Sequence, residues 1–182
     1  MKKTKNSLFQ MILCAVFAAL AAVLSQLGVT IGELPIVFTQ VAIFLAGGLL
    51  GWKWGALSMV VYTALGAAGL PVFAGMSGGP HILFGYSGGF IFGYILAALT
   101  TGLLLDWLGR KPWVVFPVLA LGALVIYLPG LPWMMHVLSL DFGQTIALGM
   151  LPYLPFDAAK VALAGILILA LHPVLQKQKV LR

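Results

Sequence analysis

Long apolar runs separated by short polar connections set the hydrophobic pattern of this 182-residue chain. The first run, residues 8–27, contains only three polar side chains, those of Gln10, Ser25 and Gln26. About 20 apolar residues in an α-helix cross the ~30 Å hydrocarbon core of a bilayer. The pattern therefore predicts a membrane-spanning helix. A cleaved signal peptide is the rival interpretation, but the apolar part of such a peptide is shorter, about 7 to 15 residues.

The same pattern repeats along the chain and predicts an all-α membrane protein with six transmembrane helices. Helix-breaking glycines and prolines separate the apolar segments. Trp52, Lys53 and Trp54 predict a turn at the membrane surface, where aromatic and basic side chains are enriched. A loop is predicted over residues 130–143, followed by a short helical segment over 145–151. The six predicted helices cover residues 8–27, 36–51, 55–68, 82–105, 113–129 and 155–171.

Composition supports this class of protein. Hydrophobic residues make up 62% of the chain and charged residues 8%, and the mean hydropathy is +1.11. In a typical soluble domain about a quarter of the residues are charged. The formal net charge of +6 would suit nucleic acid, but the basic residues are scattered between apolar segments rather than clustered on one surface. Composition therefore indicates an integral membrane protein in contact with lipid, and not a nucleic-acid-binding protein.

Basic residues also predict the orientation in the membrane. Six spans would place both termini on one side, and Lys and Arg are enriched in cytoplasmic connections. Nine of the ten basic residues fall in the tails or in connections on the side of the termini. The sequence therefore predicts a multi-pass membrane protein with cytoplasmic termini. The nine residues are Lys2, Lys3, Lys5, Lys53, Arg110, Lys111, Lys177, Lys179 and Arg182.

The connection over residues 69–80 is apolar yet rich in glycine and proline, which disfavours a helix. Irregular backbone near a membrane is tolerated where it is buried against protein or lines a cavity. On the predicted topology this loop lies on the outer side. We expect it to act as a lid over the helices or over a bound ligand.

An acid and a base interrupt the last predicted helix. Pro155 favours a helix start, so Asp157 would lie near the positive end of the helix dipole. Asp157 and Lys160 share a helix face because they are three residues apart. A Lys or Asp near the centre of a membrane helix costs roughly 2.5–3.5 kcal/mol on insertion scales. A mutually neutralising pair, or a Lys160 that extends to the headgroups, is the simpler alternative, but the cost favours a site for a small, amphipathic, anionic ligand.

Other side chains could complete such a site. Aromatic rings in the loop and at the start of the fourth predicted helix could enclose an apolar ligand body. Polar side chains near the predicted outer ends are weaker candidates, because most such residues face headgroup water. The histidines have no His or Cys companions at the spacing of metal ligands, so neither a metal nor a cofactor is expected. The candidates are Gln40, Phe73, Ser77, His81, Tyr86 and Ser87.

Small side chains recur along the first predicted helix. Ala15, Ala18, Ala19 and Ala22 form overlapping Ala-x-x-x-Ala pairs, and such strips let another helix approach closely. The strip is either a docking face for a partner protein or a packing face for the chain's own helices.

Catalysis finds little support in the sequence. The chain has no Gly-x-Ser-x-Gly or His-Glu-x-x-His motif and only four acidic residues. We therefore do not expect an enzyme, although a membrane-embedded enzyme with Asp157 or His81 as base, or a structural subunit, remains open. The chain also has no phosphate-binding Gly-x-x-x-x-Gly-Lys-Ser/Thr loop, so uphill transport would need energy from a partner or an ion gradient.

Four blocks of the sequence, in order and covering nearly the whole chain, resemble the BioY family. These are the biotin-specific S components of energy-coupling factor transporters. The block at 65–74, which contains Gly-Leu-Pro-Val-Phe-Ala, is specific. The blocks are PIVFTQ at 35–40, LAGGLLGWKWGALS at 45–58, LGAAGLPVFA at 65–74 and YLPFDAAK at 153–160.

The resemblance implies a six-helix membrane protein that captures biotin from outside with high affinity. It also implies partners: a transmembrane coupling subunit, which the alanine strip would touch, and two ATP-binding cassette subunits that supply the energy. Asp157 and Lys160 would belong to the binding site. An S component for a different small anionic vitamin is the alternative.

Two departures from the family pattern bear on specificity. The usual Gly-Pro-Thr-Gly-Gly-Tyr reads Gly-Tyr-Ser-Gly-Gly-Phe at residues 85–90, and the usual Pro-Gly-Asp reads Pro-Phe-Asp at residues 155–157. These changes remove a proline and add bulk near the expected cavity. We expect them to alter ligand fit or lid closure.

Overall fold

Helices make up most of the computed structural model, which describes residues 2–30 and 35–177 and the side chains of residues 8–28 and 35–176. Two short strands, β1 (Gly28–Thr30) and β2 (Pro35–Val37), pair antiparallel after the first helix. The basic side chains of both tails, on which the predicted topology depends, lie outside the described residues. The helices are α1 (Lys2–Gln26), α2 (Thr39–Ala67), α3 (Pro80–Phe84), α4 (Gly88–Leu108), α5 (Pro112–Leu138), α6 (Phe142–Gly149) and α7 (Leu154–Lys177).

Five of the described helices are long and apolar enough to cross a membrane. The fold is an all-helical membrane bundle apart from the short strand pair. α2 lies at its centre, where Ile43 and Phe44 have no exposed surface, whereas α1 lies at the edge and exposes Met11, Val16 and Val23. The five apolar segments are Leu8–Gln26, Thr39–Ala67, Gly88–Leu108, Pro112–Leu138 and Leu154–Gln176.

α2 consists of two antiparallel arms rather than one straight helix. Gly51, at φ 79° and ψ 178°, interrupts it. A Cβ atom added to Gly55 would lie 2.7 Å from the Cα atom of Gly47. In a continuous helix, residues with this separation in sequence are about 12 Å apart along the axis. The chain therefore folds back at Gly51, and the two arms correspond to the helices predicted over 36–51 and 55–68.

The helix predicted over residues 82–105 is divided in the structure. A three-residue turn separates α3 from α4. A Cβ atom on Gly88 would lie 1.8 Å from the carbonyl oxygen of Leu83, so the turn packs tightly against the end of α3 and requires glycine. The sequence pattern misses this break because the residues on both sides of it are equally apolar.

The helix end predicted at residue 129 is wrong, because α5 continues to Leu138 through Pro129 and Pro132. A proline removes one backbone donor, but neighbouring helices and local adjustments compensate for the loss in a membrane protein. Most of the loop predicted over 130–143 is therefore helical. α6 begins three residues earlier than predicted, where the carboxylate of Asp141 caps it.

The last helix is longer than predicted at both ends. α7 begins at Leu154 and continues past Pro173 to Lys177. Pro173 removes one backbone hydrogen bond without ending the helix, as Pro129 and Pro132 do in α5.

Arg110 ties together the end of the bundle that contains the turn of α2. Its Nε donates to the carbonyl oxygen of Gly48 at 2.7 Å, and its Nη2 donates to Oδ1 of Asp106 at 2.6 Å. The backbone N–H of Trp52 donates to Oδ2 of Asp106 at 3.4 Å. These bonds fix the turn at Gly51 against the C-terminal end of α4.

Candidate ligand-binding cavity

A cavity of about 200 Å³ lies in the half of the bundle where α2 and α7 begin, away from the Gly51 turn. Most of its wall comes from the first turns of α2 and α7, the first half of α4, the middle of α5 and the loop between α2 and α3, and the end of α1 and the second arm of α2 also contribute. Apolar side chains such as Phe90 and Ile126 alternate there with a few polar groups. This combination is typical of sites for small organic molecules.

Asp157 and Lys160 form a buried pair on the cavity wall. Each residue is 6% exposed, and Nζ of Lys160 lies 3.3 Å from Oδ1 of Asp157. The hydroxyl of Tyr127, on α5, donates to Oδ2 of Asp157 at 2.5 Å. The spacing along α7 thus places acid and base side by side, as the sequence predicts, and a tyrosine from another helix holds the acid.

Lys160 is the stronger candidate for a ligand contact. An ammonium group can donate three hydrogen bonds, and the contact with Asp157, at 3.3 Å, uses one of them. Both oxygens of Asp157 already accept a hydrogen bond from the protein. In a site shielded from water, the ammonium group would attract a carboxylate or another strong acceptor.

All five tyrosines of the chain line this one cavity. The ring of Tyr127 meets Phe90 edge to face, with the ring centroids 6.1 Å apart. Tyrosine combines a large apolar ring with a polar tip, so a wall of tyrosines can enclose a ring system and also offer hydrogen bonds. The five residues are Tyr62, Tyr86, Tyr94, Tyr127 and Tyr153.

Most of the predicted site residues come together at the cavity. Seven of the eight line it, namely Gln40, Phe73, Ser77, Tyr86, Ser87, Asp157 and Lys160. His81 does not, because it is exposed in the first turn of α3 and is not part of the wall.

The sequence analysis missed several lining residues. Tyr94 and Tyr127 lie in the interior of apolar segments, whereas tyrosines of membrane proteins are enriched at the water interfaces. That unusual position was an available signal. Ser25 and Thr39 gave a weaker sequence signal for a place in the cavity wall, because a hydroxyl at a helix end is common and has no ligand chemistry of its own.

The loop predicted as a lid contributes Phe73 to the cavity wall. The Phe73 side chain is 3% exposed, and its ring meets Tyr62 edge to face with the centroids 5.5 Å apart. It also covers Gly66, where an added Cβ atom would lie 2.1 Å from the ring. The loop is therefore packed against α2 with an aromatic side chain directed inward.

The alanine strip of α1 is divided between two faces. Ala18 is 1% exposed and packs in the core, and Ala22 is half-buried. Ala15 and Ala19 are exposed. Only the exposed pair is available to a partner protein in this conformation.

The described residues contain no group of three or more His, Cys, Asp or Glu side chains that could hold a metal ion. The polar groups that line the cavity are hydroxyl, amide and charged groups.

Curated relatives match most of the chain. A protein of Pyrococcus horikoshii described as a probable biotin transporter BioY is 40% identical over 155 residues, which cover 85% of this chain and 91% of the relative. The biotin transporter BioY of Thermotoga maritima is 34% identical over 162 residues, which cover 89% of this chain and 95% of the relative.

A solved structure has the same fold. It is described as the crystal structure at 2.1 Å of the S-component for biotin from an ECF-type ABC transporter. The TM-score is 0.85 with 26% sequence identity, and the match covers 94% of this chain and 93% of that one. The family model described as BioY family matches residues 1–177, and this chain therefore belongs to the BioY family.

Proposed function

We propose that this protein is the biotin-binding S component of a vitamin uptake transporter and delivers biotin to an ATP-driven energy-coupling module. The observation that carries this proposal is the buried Asp157–Lys160 pair in the wall of a tyrosine-rich cavity, in a chain of the BioY family. BioY proteins are transporter components and not enzymes. The protein is a multi-pass protein of the cell membrane.

The chemistry of biotin matches the cavity. Biotin has a carboxylate at one end, a cyclic urea at the other, and an apolar ring and methylene chain between them. Asp157 and Lys160 are in contact, so a single biotin can meet the pair with only one of its ends. The carboxylate gains most from an ammonium group, and we assign it to Lys160. The urea is then left for neutral polar groups of the wall, for which Gln40, Ser77 and Ser87 are available.

We further propose six membrane spans with both termini in the cytoplasm. The reversal at Gly51 supports this count, because each arm of α2 would form one span. Each arm alone is shorter than the roughly 20 residues of a typical span, whereas α2 taken as one helix of 29 residues counts as one span. Lys53, Arg110 and Lys111 lie at the end of the bundle where Gly51 turns the chain, which agrees with a cytoplasmic location of that end.

The likeness to the S-component of an ECF-type ABC transporter supports partner subunits. The sequence of this chain has no phosphate-binding loop, so we propose that a transmembrane coupling subunit and two ATP-binding cassette subunits supply the energy. α1 is the helix most open to such a partner, because it lies at the edge of the bundle and exposes Ala15 and Ala19. On the opposite side of the membrane, the loop over residues 69–79 would act as the lid.

Isothermal titration of the purified protein with biotin tests the function. We expect saturable binding of one biotin per chain, with no competition from thiamine, whose positive charge Lys160 would repel. Absence of saturable binding to biotin would overturn the proposal. Displacement of biotin by another anionic vitamin at equal concentration would identify the S component of that vitamin instead.

A further inference from the structure

The side-chain amide of Gln26, in the last turn of α1, holds the backbone of the lid loop. Its Nε2 donates to the carbonyl oxygen of Phe73 at 3.0 Å, and its Oε1 accepts from the N–H of Met76 at 2.8 Å. The same Nε2 lies 2.7 Å from Oγ of Ser25. One side chain thus satisfies both an acceptor and a donor of the loop backbone.

Ser25 provides a second contact between α1 and the loop. Its Oγ lies 2.5 Å from the carbonyl oxygen of Val72 and 2.7 Å from that of Ala22. A hydroxyl has one proton and donates to only one of these carbonyls at a time. Contacts from the end of α1 thus reach three backbone groups of the loop, those of Val72, Phe73 and Met76.

The part of the loop that α1 holds is also the part that closes the cavity. Phe73 and Ser77 both line the cavity, and their backbones pair with each other through N–H to oxygen distances of 2.9 and 3.3 Å. Gly75 and Met76, both at positive φ, complete this tight turn. The turn is a small closed unit, so a movement of it would carry both lining side chains away together.

Gln26 does not line the cavity, so its contacts with the loop act on the ligand indirectly. We propose that Gln26, assisted by Ser25, is a positioning residue that latches the lid to α1, so that biotin enters and leaves only when α1 releases the loop. This inference rests on the proposed function, since it takes the cavity to be the biotin site.

The latch predicts an unusual kinetic signature. Its bonds join protein groups to protein groups, and we expect them in both the empty and the filled protein. Weakening them raises the fraction of open lid equally in both states, so association and dissociation accelerate by the same factor and the Kd stays nearly constant. Loss of a direct ligand contact acts instead mostly on dissociation, and so raises the Kd.

Binding of labelled biotin to the empty Gln26→Leu variant in detergent measures the association rate, and a chase with unlabelled biotin measures the dissociation rate. We expect each rate to rise about tenfold, the equivalent of about 1.4 kcal/mol, with the Kd within about threefold of the original protein. The matched control is Gln176→Leu, in the last turn of α7 and exposed, which should leave both rates unchanged. A higher Kd with an unchanged association rate, or two unchanged rates, would overturn the latch.

Hydrogen exchange on the biotin-free protein separates the latch from the proposed function. The N–H of Met76 should exchange faster in the Gln26→Leu variant, while amides in the core of α4 keep their protection. Equal exchange at Met76 in both proteins would rule out the latch whether or not biotin binds. Failure of the original protein to bind biotin would instead overturn the proposed function and leave the exchange result standing.

Discussion

The hydroxyl of Tyr127 donates a 2.5 Å hydrogen bond to Oδ2 of Asp157 and ties the middle of α5 to the first turn of α7. The other oxygen of this carboxylate faces Lys160 at 3.3 Å. The acid is held from two sides, and this arrangement positions the ammonium group on the cavity wall.

Tyr127→Phe should therefore weaken biotin binding although the ring is kept. A hydrogen bond to a charged group is worth about 1.5–3 kcal/mol, so we expect the affinity to fall about tenfold or more in isothermal titration. The Asp157→Asn variant provides the control, because Tyr127→Phe should reduce the affinity for biotin by a smaller factor in that variant than in the original protein. Fully additive losses would show that the two side chains act independently.

Lys160→Met should remove the charge that receives the carboxylate while retaining the apolar stem of the side chain. We expect the free energy of biotin binding to weaken by about 2–5 kcal/mol, the usual loss when one partner of a buried charge contact is removed. The primary amide of biotin, which carries no charge, should lose much less. Equal losses for the acid and the amide would place the carboxylate elsewhere in the cavity.

Gly55→Ala should disrupt the hairpin of α2. The added methyl group would lie 2.7 Å from the backbone of Gly47, and backbone cannot move aside as a flexible side chain can. We expect the free energy of unfolding to fall by about 1–3 kcal/mol, visible as a lower thermal unfolding midpoint in detergent. Gly143→Ala is the matched control, because Gly143 is exposed and its added methyl group would meet only the Asp141 side chain, at 3.3 Å; its effect should be smaller. An unchanged midpoint for Gly55→Ala would contradict the close packing of the two arms.

The double variant Ala15→Leu, Ala19→Leu should block docking of the coupling subunit and leave biotin binding intact. Both positions are exposed on α1, and a bulky side chain there prevents the close helix approach that alanine allows. Co-purification with the coupling subunit should be lost, while titration with biotin is unchanged. Val16→Leu, also exposed on α1, should retain the partner. Retention of the partner by the double variant would move the docking surface to another helix.

The sequence predicted the charged pair well because the signal was local. A separation of three residues on one helix places Asp157 beside Lys160 whatever surrounds them. The turn near Trp52 was predicted for a similar reason, since aromatic and basic residues mark a membrane surface.

The inner faces of the helices could not be predicted in the same way. Both lipid and protein core accept apolar side chains, so the segments show no polar face to identify the outside. Ile43 and Leu105 therefore gave no sign that they point inward. The continuation of α5 through Pro129 was missed for a different reason, because proline ends helices in water more reliably than in a bundle surrounded by lipid.

All five tyrosines line one cavity, so their ultraviolet absorption can report whether the cavity is filled. Each of the five tryptophans, at positions 52, 54, 107, 113 and 133, lies outside the cavity wall. Biotin is transparent in the near ultraviolet. A difference spectrum recorded on filling the cavity should therefore show the absorption bands of phenol and not those of indole, without any attached dye.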